Sequence, residues 1–344
     1  MNTEKQILGL IKLSDFLNNF LKNTPENYSE LENEFALLLR KSEIENPWFT
    51  QENQKFALQQ WNKLLTKENL ENWLKEYRIS KNPKRVGLIL AGNIPMVGFH
   101  DVLSVILSGN IPLIKLSSKN KQILPFLLSQ WNEFSQGNIQ YEFVEKLQNF
   151  DAVIATGSNN TARYLEYYFK DSLSIIRKNR TSLAVLKGDE TDEELQLLSH
   201  DIFRYFGLGC RNVTRLFIPK EMKLDRLFEN FMDFSEVINH NAYANNYDYN
   251  KAIYLLNQDQ FWDNNFVMLK EDKSLFSPLS VLNFSRYENI YEVEEFLKNN
   301  EENIQCIVAK PELGLNSENF GEAQNPGLST YADHVDTMQF LEVI

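Results

Sequence analysis

The sequence predicts an α/β protein with two doubly wound α/β domains behind an N-terminal helical region. Three observations carry this. Over residues 1–80 the apolar side chains recur only at helical spacing. From residue 85 short apolar runs alternate with helical stretches in the order strand, loop, helix, strand, the signature of a parallel sheet with crossover helices. The same alternation resumes after Gly188. The expected boundaries are 1–80 for the helical region, 81–187 and 188–325 for the two α/β domains, and 326–344 for a C-terminal segment.

The helical region rests on Ile7, Leu10, Ile11, Phe16, Leu17, Phe20 and Leu21, then on Phe35, Leu38 and Leu39, then on Phe56, Trp61, Leu64, Leu65, Trp73, Leu74 and Tyr77. Asn23-Thr24-Pro25 and Asn46-Pro47 interrupt it. It carries no recognisable chemistry and reads as a helical cap or interaction layer. Val86–Leu90 is a buried parallel-type strand. A turn at Ala91–Pro95 follows, then a helix from about Met96 to Ser108, ended by Gly109-Asn110. Ile111–Leu116 is a second strand, with Pro112 tolerable near its start. Ser117 or Ser118 caps the next helix, which Pro125 interrupts or restarts. Tyr141–Val144 and Asp151–Ala155 are further strands, the second followed by Thr156-Gly157-Ser158 and a helix from about Asn160 to Phe169. Leu173–Ile176 and Ser182–Leu186 complete the first domain.

In the second domain, Thr191 with Glu194 fits a capping box, and the helix it opens runs to Phe206. Val213–Pro219 is a strand. Helices are expected around Asp225–Phe234, Tyr249–Trp262 and Ile290–Lys298, with strands at Leu279–Phe284 and Gln305–Val308. Met338–Ile344 is expected as a last strand.

Composition excludes several classes. With 43% apolar and 24% charged residues in 344, the chain is globular. A net charge of −12 argues against non-specific nucleic-acid binding, which needs a basic surface. Cys210 and Cys306 alone make neither a disulfide framework nor a paired metal-ligand spacing. Met1–Lys12 is amphipathic and mixed in charge, unlike a signal peptide. No apolar run is long enough to span a membrane. A soluble, cytoplasmic protein is the expectation.

The chemistry centres on Phe203–Asn212, which reads as a helix end, a glycine-rich turn, one cysteine and the start of a strand. Glycines at such a turn let a substrate and backbone N–H groups approach a thiol closely, as a nucleophilic cysteine requires. An isolated cysteine is more often structural; the rest of the chain reverses those odds. Ligand loops of a doubly wound sheet lie at the strand C-termini. Three stand out: those carrying Asn93, Lys115 and Gly157-Ser158.

In this order the pieces resemble the aldehyde dehydrogenase superfamily over roughly residues 85–340. They are most similar to its acyl-CoA reductase branch, typified by the fatty-acid reductase component of bacterial bioluminescence. The resemblance implies an aldehyde-dehydrogenase-like fold, with 81–187 the nucleotide-binding domain and 188–325 the catalytic domain. Gly92-Asn93-Ile94-Pro95 matches the family's Asn-x-Pro element, whose asparagine side chain forms an oxyanion hole with the N–H of the cysteine. A plain turn asparagine is the structural alternative. Lys115 looks like the family lysine at the adenosine ribose. NAD-preferring relatives carry a glutamate three residues later, where this chain has Ser118. That leaves room for a 2′-phosphate with Lys115 and Lys119 as counter-charges, so NADPH is expected, with NADH as the alternative. Thr156-Gly157-Ser158 matches the turn beneath the pyrophosphate, although a further family glycine is Ala162 here. Ser274-Leu275-Phe276-Ser277-Pro278 is similar to the family's Glu-x-Phe-Gly-Pro element. Phe276 would pack by the nicotinamide, and Ser274 replaces the ribose-binding glutamate.

Hydrolytic relatives hold a general-base glutamate just before the strand at Ser182–Leu186. Here Ile175–Thr181 contains no carboxylate, which favours thioester reduction over aldehyde oxidation. The four histidines, His100, His200, His240 and His334, fall outside every motif. Cys306 reads as a buried strand residue. The implied enzyme is an acyl-CoA reductase of the acylating aldehyde dehydrogenase type. Cys210 is its nucleophile, activated by N–H groups or by a cation such as Arg211. Acyl phosphates, acyl-carrier thioesters and a non-catalytic acyl-handling scaffold are the alternatives. The expected partners are acyl-CoA and a homo-oligomeric copy, or an enzyme that supplies or consumes the acyl group.

Overall fold

The computed structural model describes residues 2–344. Four helices come first: α1 (Thr3–Lys22), α2 (Glu30–Glu45), α3 (Gln51–Leu64) and α4 (Lys67–Leu74). Each opens on a side-chain cap from Asn2, Ser29, Thr50 or Thr66, which accepts one of the N–H groups left over at a helix start. Ser29 and Glu32 complete a capping box. Asn23 and Asn46 end α1 and α2, where the sequence breaks fall.

Next comes a five-stranded parallel sheet. It is built from β1 (Arg85–Ile89), α5 (Phe99–Leu107), β2 (Ile111–Lys115), α6 (Ile123–Phe134), β3 (Glu142–Phe143), β4 (Ala152–Thr156), α7 (Asn159–Tyr168) and β5 (Leu173–Arg177). The strand order is β3-β2-β1-β4-β5. Val86, Leu88, Leu113, Ile114, Val153 and Ile154 are almost wholly buried in it, each worth roughly 1.5–3 kcal/mol relative to exposure. The N-terminal helices pack on this layer, α1 against α6. Phe126 stacks on Phe35 at 4.7 Å and meets Phe16 at 5.9 Å.

The second sheet contains β6 (Thr181–Val185), α8 (Asp192–Phe203), β7 (Val213–Pro219), α9 (Asp225–Asn230), α10 (Asn241–Asn257), β8 (Trp262–Asp263), β9 (Met268–Glu271), β10 (Val281–Tyr287), α11 (Ile290–Asn299) and β11 (Ile304–Ala309). Its order is β11-β6-β7-β10-β9-β8, parallel except for the β8–β9 pair. The chain ends with α12 (Thr337–Glu342). Two compact units result: the chain up to Lys178 together with Gly327–Ile344, and Asn179–Pro326.

Several sequence expectations are corrected. The strand expected at Ser182–Leu186 pairs with β7 and β11, so it belongs to the second sheet and not the first. The helix after Asn93 begins at Phe99, not Met96, because Met96 stays in the turn with φ 62°. Neither Ser117 nor Ser118 caps α6, which starts at Ile123 with Pro125 in its first turn, where proline's missing N–H costs nothing. The Ser117 hydroxyl accepts the Lys119 N–H instead. α8 stops at Phe203, three residues early. α10 starts eight residues before Tyr249, capped by His240, and Trp262 is already strand. β9 was not foreseen. Met338–Ile344 is not a strand; Asp336 caps α12 by accepting the Gln339 N–H, and Met338 and Leu341, one turn apart, are buried.

The C-terminal segment is laced into its own unit by buried polar contacts. Arg177 pairs with Asp101 at 2.6 Å and donates to Thr337 Oγ1 at 3.0 Å. Trp73 Nε1 donates to the Tyr331 hydroxyl (2.7 Å), which donates to Tyr77 (2.8 Å), which donates to Asp336 (2.8 Å). Tyr331→Phe removes the middle of that chain and strands the Trp73 N–H, whose residue is only 3% exposed. A loss of about 1–3 kcal/mol is expected, read as a lowered denaturant midpoint with an unchanged slope.

Candidate active site

β1 lies between β2 and β4, and the three strands run parallel, so the loops after them leave the same edge of the sheet. The chain proceeds from β1 outward through β2 and β3, then returns to β4 on the other side. That reversal is the switch point at which open α/β sheets bind ligands. The sequence-named residues of this unit are all on that edge. Asn93 is exposed in the β1 loop, Lys115 is exposed at the end of β2 and Ser118 in the loop after it, and Thr156 ends β4 with Gly157 and Ser158 following. The first two loops touch: a Cβ on Gly92 would stand 2.3 Å from Ser117 Oγ, so only glycine fits. Ser158 caps α7, its hydroxyl accepting the Thr161 N–H at 3.3 Å. A Cβ on Gly157 would meet Thr161 Cγ2 at 2.8 Å.

The other named residues, Cys210 and Phe276, belong to the second unit. After α8 the backbone enters the left-handed region at three successive residues, Tyr205 (φ 55°), Phe206 (φ 58°) and Gly207 (φ 77°). For two aromatic residues this is strained backbone. It delivers an exposed Cys210, and neither cysteine forms a disulfide. The turn is held from below by buried groups. Gly209 N–H donates to Asn212 Oδ1 at 2.8 Å, and the Ser182 hydroxyl donates to the Cys210 carbonyl at 3.0 Å. Ser182 also accepts the Cys306 N–H and thiol, both at 3.1 Å. Cys306 is therefore the buried strand residue expected, its thiol pushed up by burial. Arg211 does not face solvent: its guanidinium donates to the Ala323 carbonyl and pairs with Glu318 at 2.8 Å. The 321–323 segment is fixed by Asp201, which accepts the N–H groups of Gly321 (2.7 Å) and Ala323 (2.9 Å). Burial pushes the Asp201 carboxyl up to about 7, against the lowering effect of those two N–H groups.

Phe276 stands 43% exposed in the loop after β9, so it is not a core phenylalanine. That loop's backbone is gripped from the sheet. Arg215, buried between the rings of Phe217 and Phe296 at 4.6 Å from each, donates to the carbonyls of Asp272 and Ser274 at 2.8 Å. Burial lowers the Arg215 guanidinium to about 10. Asn283 donates to the carbonyls of Ser274 and Phe276 at 3.1 Å.

Sequence reasoning passed over Ser182, Asn212, Arg215 and Asn283 as site-building residues. Only Asn212 had a local signal, its place in the cysteine stretch. Of the histidines, His100 bonds to the Leu328 carbonyl at 2.8 Å, with its pKa lowered by burial. His334 is exposed, with φ 58°. Among the described residues no cluster of His, Cys, Asp or Glu could hold a metal ion, and no helix is long and apolar enough to cross a membrane.

The chain matches the model of the acyl-CoA reductase (LuxC) family over residues 19–308. It belongs to the LuxC acyl-CoA reductase family. Solved structures with the same fold are aldehyde dehydrogenases. A putative aldehyde dehydrogenase from Burkholderia cenocepacia superposes with a TM-score of 0.62 at 11% identity, covering 90% of this chain and 74% of that one. The aldehyde dehydrogenase KauB from Pseudomonas aeruginosa gives 0.62 at 12%, covering 94% and 74%. An NAD-dependent benzaldehyde dehydrogenase from Corynebacterium glutamicum gives 0.64 at 10%, covering 93% and 80%. No curated protein matches the chain. Family and fold together make this LuxC-family chain an oxidoreductase of acyl or aldehyde groups.

Proposed function

We propose that the protein reduces an acyl-CoA thioester to an aldehyde with NADPH, through an S-acyl intermediate on Cys210, in a reducing cytoplasm. The observation that carries this reading is the exposed Cys210 thiol on a turn held by buried hydrogen bonds, in a chain of an acyl-CoA reductase family. The Cys210 thiolate attacks the thioester carbonyl. A carbon–sulfur bond forms, negative charge develops on the carbonyl oxygen, and the Asn93 amide and the Cys210 N–H donate to it. The oxygen's electron pair then re-forms the carbonyl and CoA leaves as its thiolate. The cofactor, when bound, supplies the hydride that reduces the acyl carbon; the bond to sulfur breaks, the aldehyde departs and Cys210 recovers its thiolate. No carboxylate lies between Arg177 and Thr181 to activate water, so the acyl group is kept for reduction.

The residues at the first sheet edge suit a phosphorylated dinucleotide. Among the described residues neither Lys115 nor Lys119 forms an ion pair, and residues 115–121 include no acid to oppose a phosphate. Lys115, Ser118 and Lys119 would meet the adenosine ribose and its 2′-phosphate. Thr156, Gly157 and Ser158, at the start of α7, would meet the pyrophosphate. Phe276 would lie against the nicotinamide. Ser118→Glu sets a carboxylate where the 2′-phosphate is read, and is expected to lower the preference for NADPH over NADH by roughly 10-fold or more, about 1.4 kcal/mol. Steady-state kcat/KM with each nucleotide checks this.

The test of the reading is nucleotide consumption with a panel of acyl-CoAs from acetyl to palmitoyl. Acyl-CoA-dependent oxidation of NADPH, with aldehyde formed in equal amount, is the expected result. A folded protein inert toward every member of the panel with either nucleotide would overturn it.

A further inference from the structure

We infer that Asn212 is the positioning residue of the nucleophile turn: its carboxamide sets where the Cys210 thiol and N–H stand. The inference rests on the reading of Cys210 as the nucleophile. The last carbonyls of a helix have no partner within the helix, and α8 ends in strained left-handed backbone instead of a glycine cap. Asn212, wholly buried, supplies what is missing. Its Nδ2 donates to the carbonyls of Asp201 (3.1 Å), Ile202 (3.2 Å) and Arg204 (2.8 Å), while its Oδ1 takes the Gly209 N–H (2.8 Å). One planar group thus ties the end of the helix to the residue before the cysteine, across the whole strained segment.

The backbone of Asn212 is fixed as well. Its N–H donates to Gly209 (3.1 Å) and its carbonyl accepts the Ser182 N–H (3.2 Å), which anchors the clamp to β6. The nearest cation in sequence, Arg211, is committed to Glu318 and the Ala323 carbonyl. The turn that carries the thiol and its N–H is held by Asn212. Only an amide combines both donors with the acceptor in this geometry. Aspartate has the same shape but would face three carbonyl oxygens with an acceptor-only group.

The test compares wild type, Asn212→Asp and Asn212→Ala as full chains. It follows the alkylation rate of Cys210 by iodoacetamide from pH 6 to 9, with the modified peptide assigned by mass. It also follows the single-turnover rate of acyl transfer from acyl-CoA without nucleotide, and the KM for NADPH. The expected result is a fall of roughly 10-fold or more in both Cys210 rates and an upward shift of the alkylation pH profile, with the KM for NADPH unchanged. A merely structural residue would lower the melting temperature and leave the pH profile where it was. Wild-type rates and profile in both variants would overturn the inference. For variants that do not fold, amide hydrogen exchange on the wild type decides. Gly209 N–H is expected to exchange as slowly as the amides of β7, and exchange at the rate of an open loop overturns the clamp. A wild-type enzyme that takes up no acyl group sinks the nucleophile reading, while the alkylation series still reports whether Asn212 sets the thiol's reactivity.

Discussion

Cys210→Ala is expected to abolish acyl-CoA-dependent NADPH oxidation, a loss of about 10⁴-fold or more, because removing a covalent nucleophile removes the reaction path and not merely part of its stabilisation. The same variant should fail to gain mass. Wild-type protein mixed with acyl-CoA in the absence of nucleotide should increase by one acyl group and release one equivalent of free CoA thiol. Alanine at 210 should do neither. Stability gives the control. Cys210 is exposed and its turn is held by Asn212, Ser182 and the strand after it, none of which needs the thiol. The melting transition should therefore move by no more than the shift expected of about 0.5 kcal/mol, as for other surface substitutions. Cys210→Ser separates two meanings of a loss. An oxygen nucleophile of similar size keeps the turn but reacts poorly, so slow acylation to a stable ester is expected. Equal acylation of wild type and Cys210→Ala would transfer the chemistry to another group and overturn the assignment.

What the sequence made legible follows from how local each determinant is. Val86–Leu90, Ile111–Leu116 and Asp151–Ala155 were readable as strands because a sheet covered on both faces demands continuous apolar runs. The capping box at Thr191 and Glu194 was readable because its two hydrogen bonds span three residues. The sheet to which Thr181–Val185 belongs was not, since pairing with β7 and β11 is decided by contacts with residues up to 309. Met338–Ile344 misled because a six-residue helix is too short to display a period, and tertiary burial of Met338 and Leu341 decides it. The site divides in the same way. Asn93, Lys115, Thr156–Ser158 and Cys210 could be nominated from the sequence because ligand loops fall at strand ends and because their motifs are short. Ser182 and Arg215 were not, because they act on backbone 28 and 57 residues away, respectively. The left-handed Tyr205 and Phe206 carry no sequence mark, and aromatic residues are disfavoured there.

Asn93→Ala is expected to slow acyl transfer to Cys210 by roughly 10²–10³-fold, about 2.7–4 kcal/mol of barrier, the scale on which a single oxyanion donor acts. Gly92 lies against the Ser117 side chain, where a Cβ would clash, and Met96 completes the bend in left-handed backbone after Pro95. A loop fixed at both ends presents its side chain at little entropic cost at the moment of reaction, and this preorganisation is what gives an oxyanion donor its value. Asn93 is exposed, so its replacement should leave stability within about 0.5 kcal/mol. Binding and chemistry then separate. The KM for NADPH should hold, the single-turnover acylation rate should fall, and alkylation of Cys210 by iodoacetamide, which develops no oxyanion, should be unchanged. Asn93→Asp tests the sign of the electrostatics, because it keeps the shape, removes the donor and adds a negative charge beside a developing one. It should acylate more slowly than Asn93→Ala at neutral pH and recover part of the rate in acid as its carboxylate takes up a proton. Acylation by Asn93→Ala at the wild-type rate would reduce Asn93 to a turn residue and leave the Cys210 N–H to act without it.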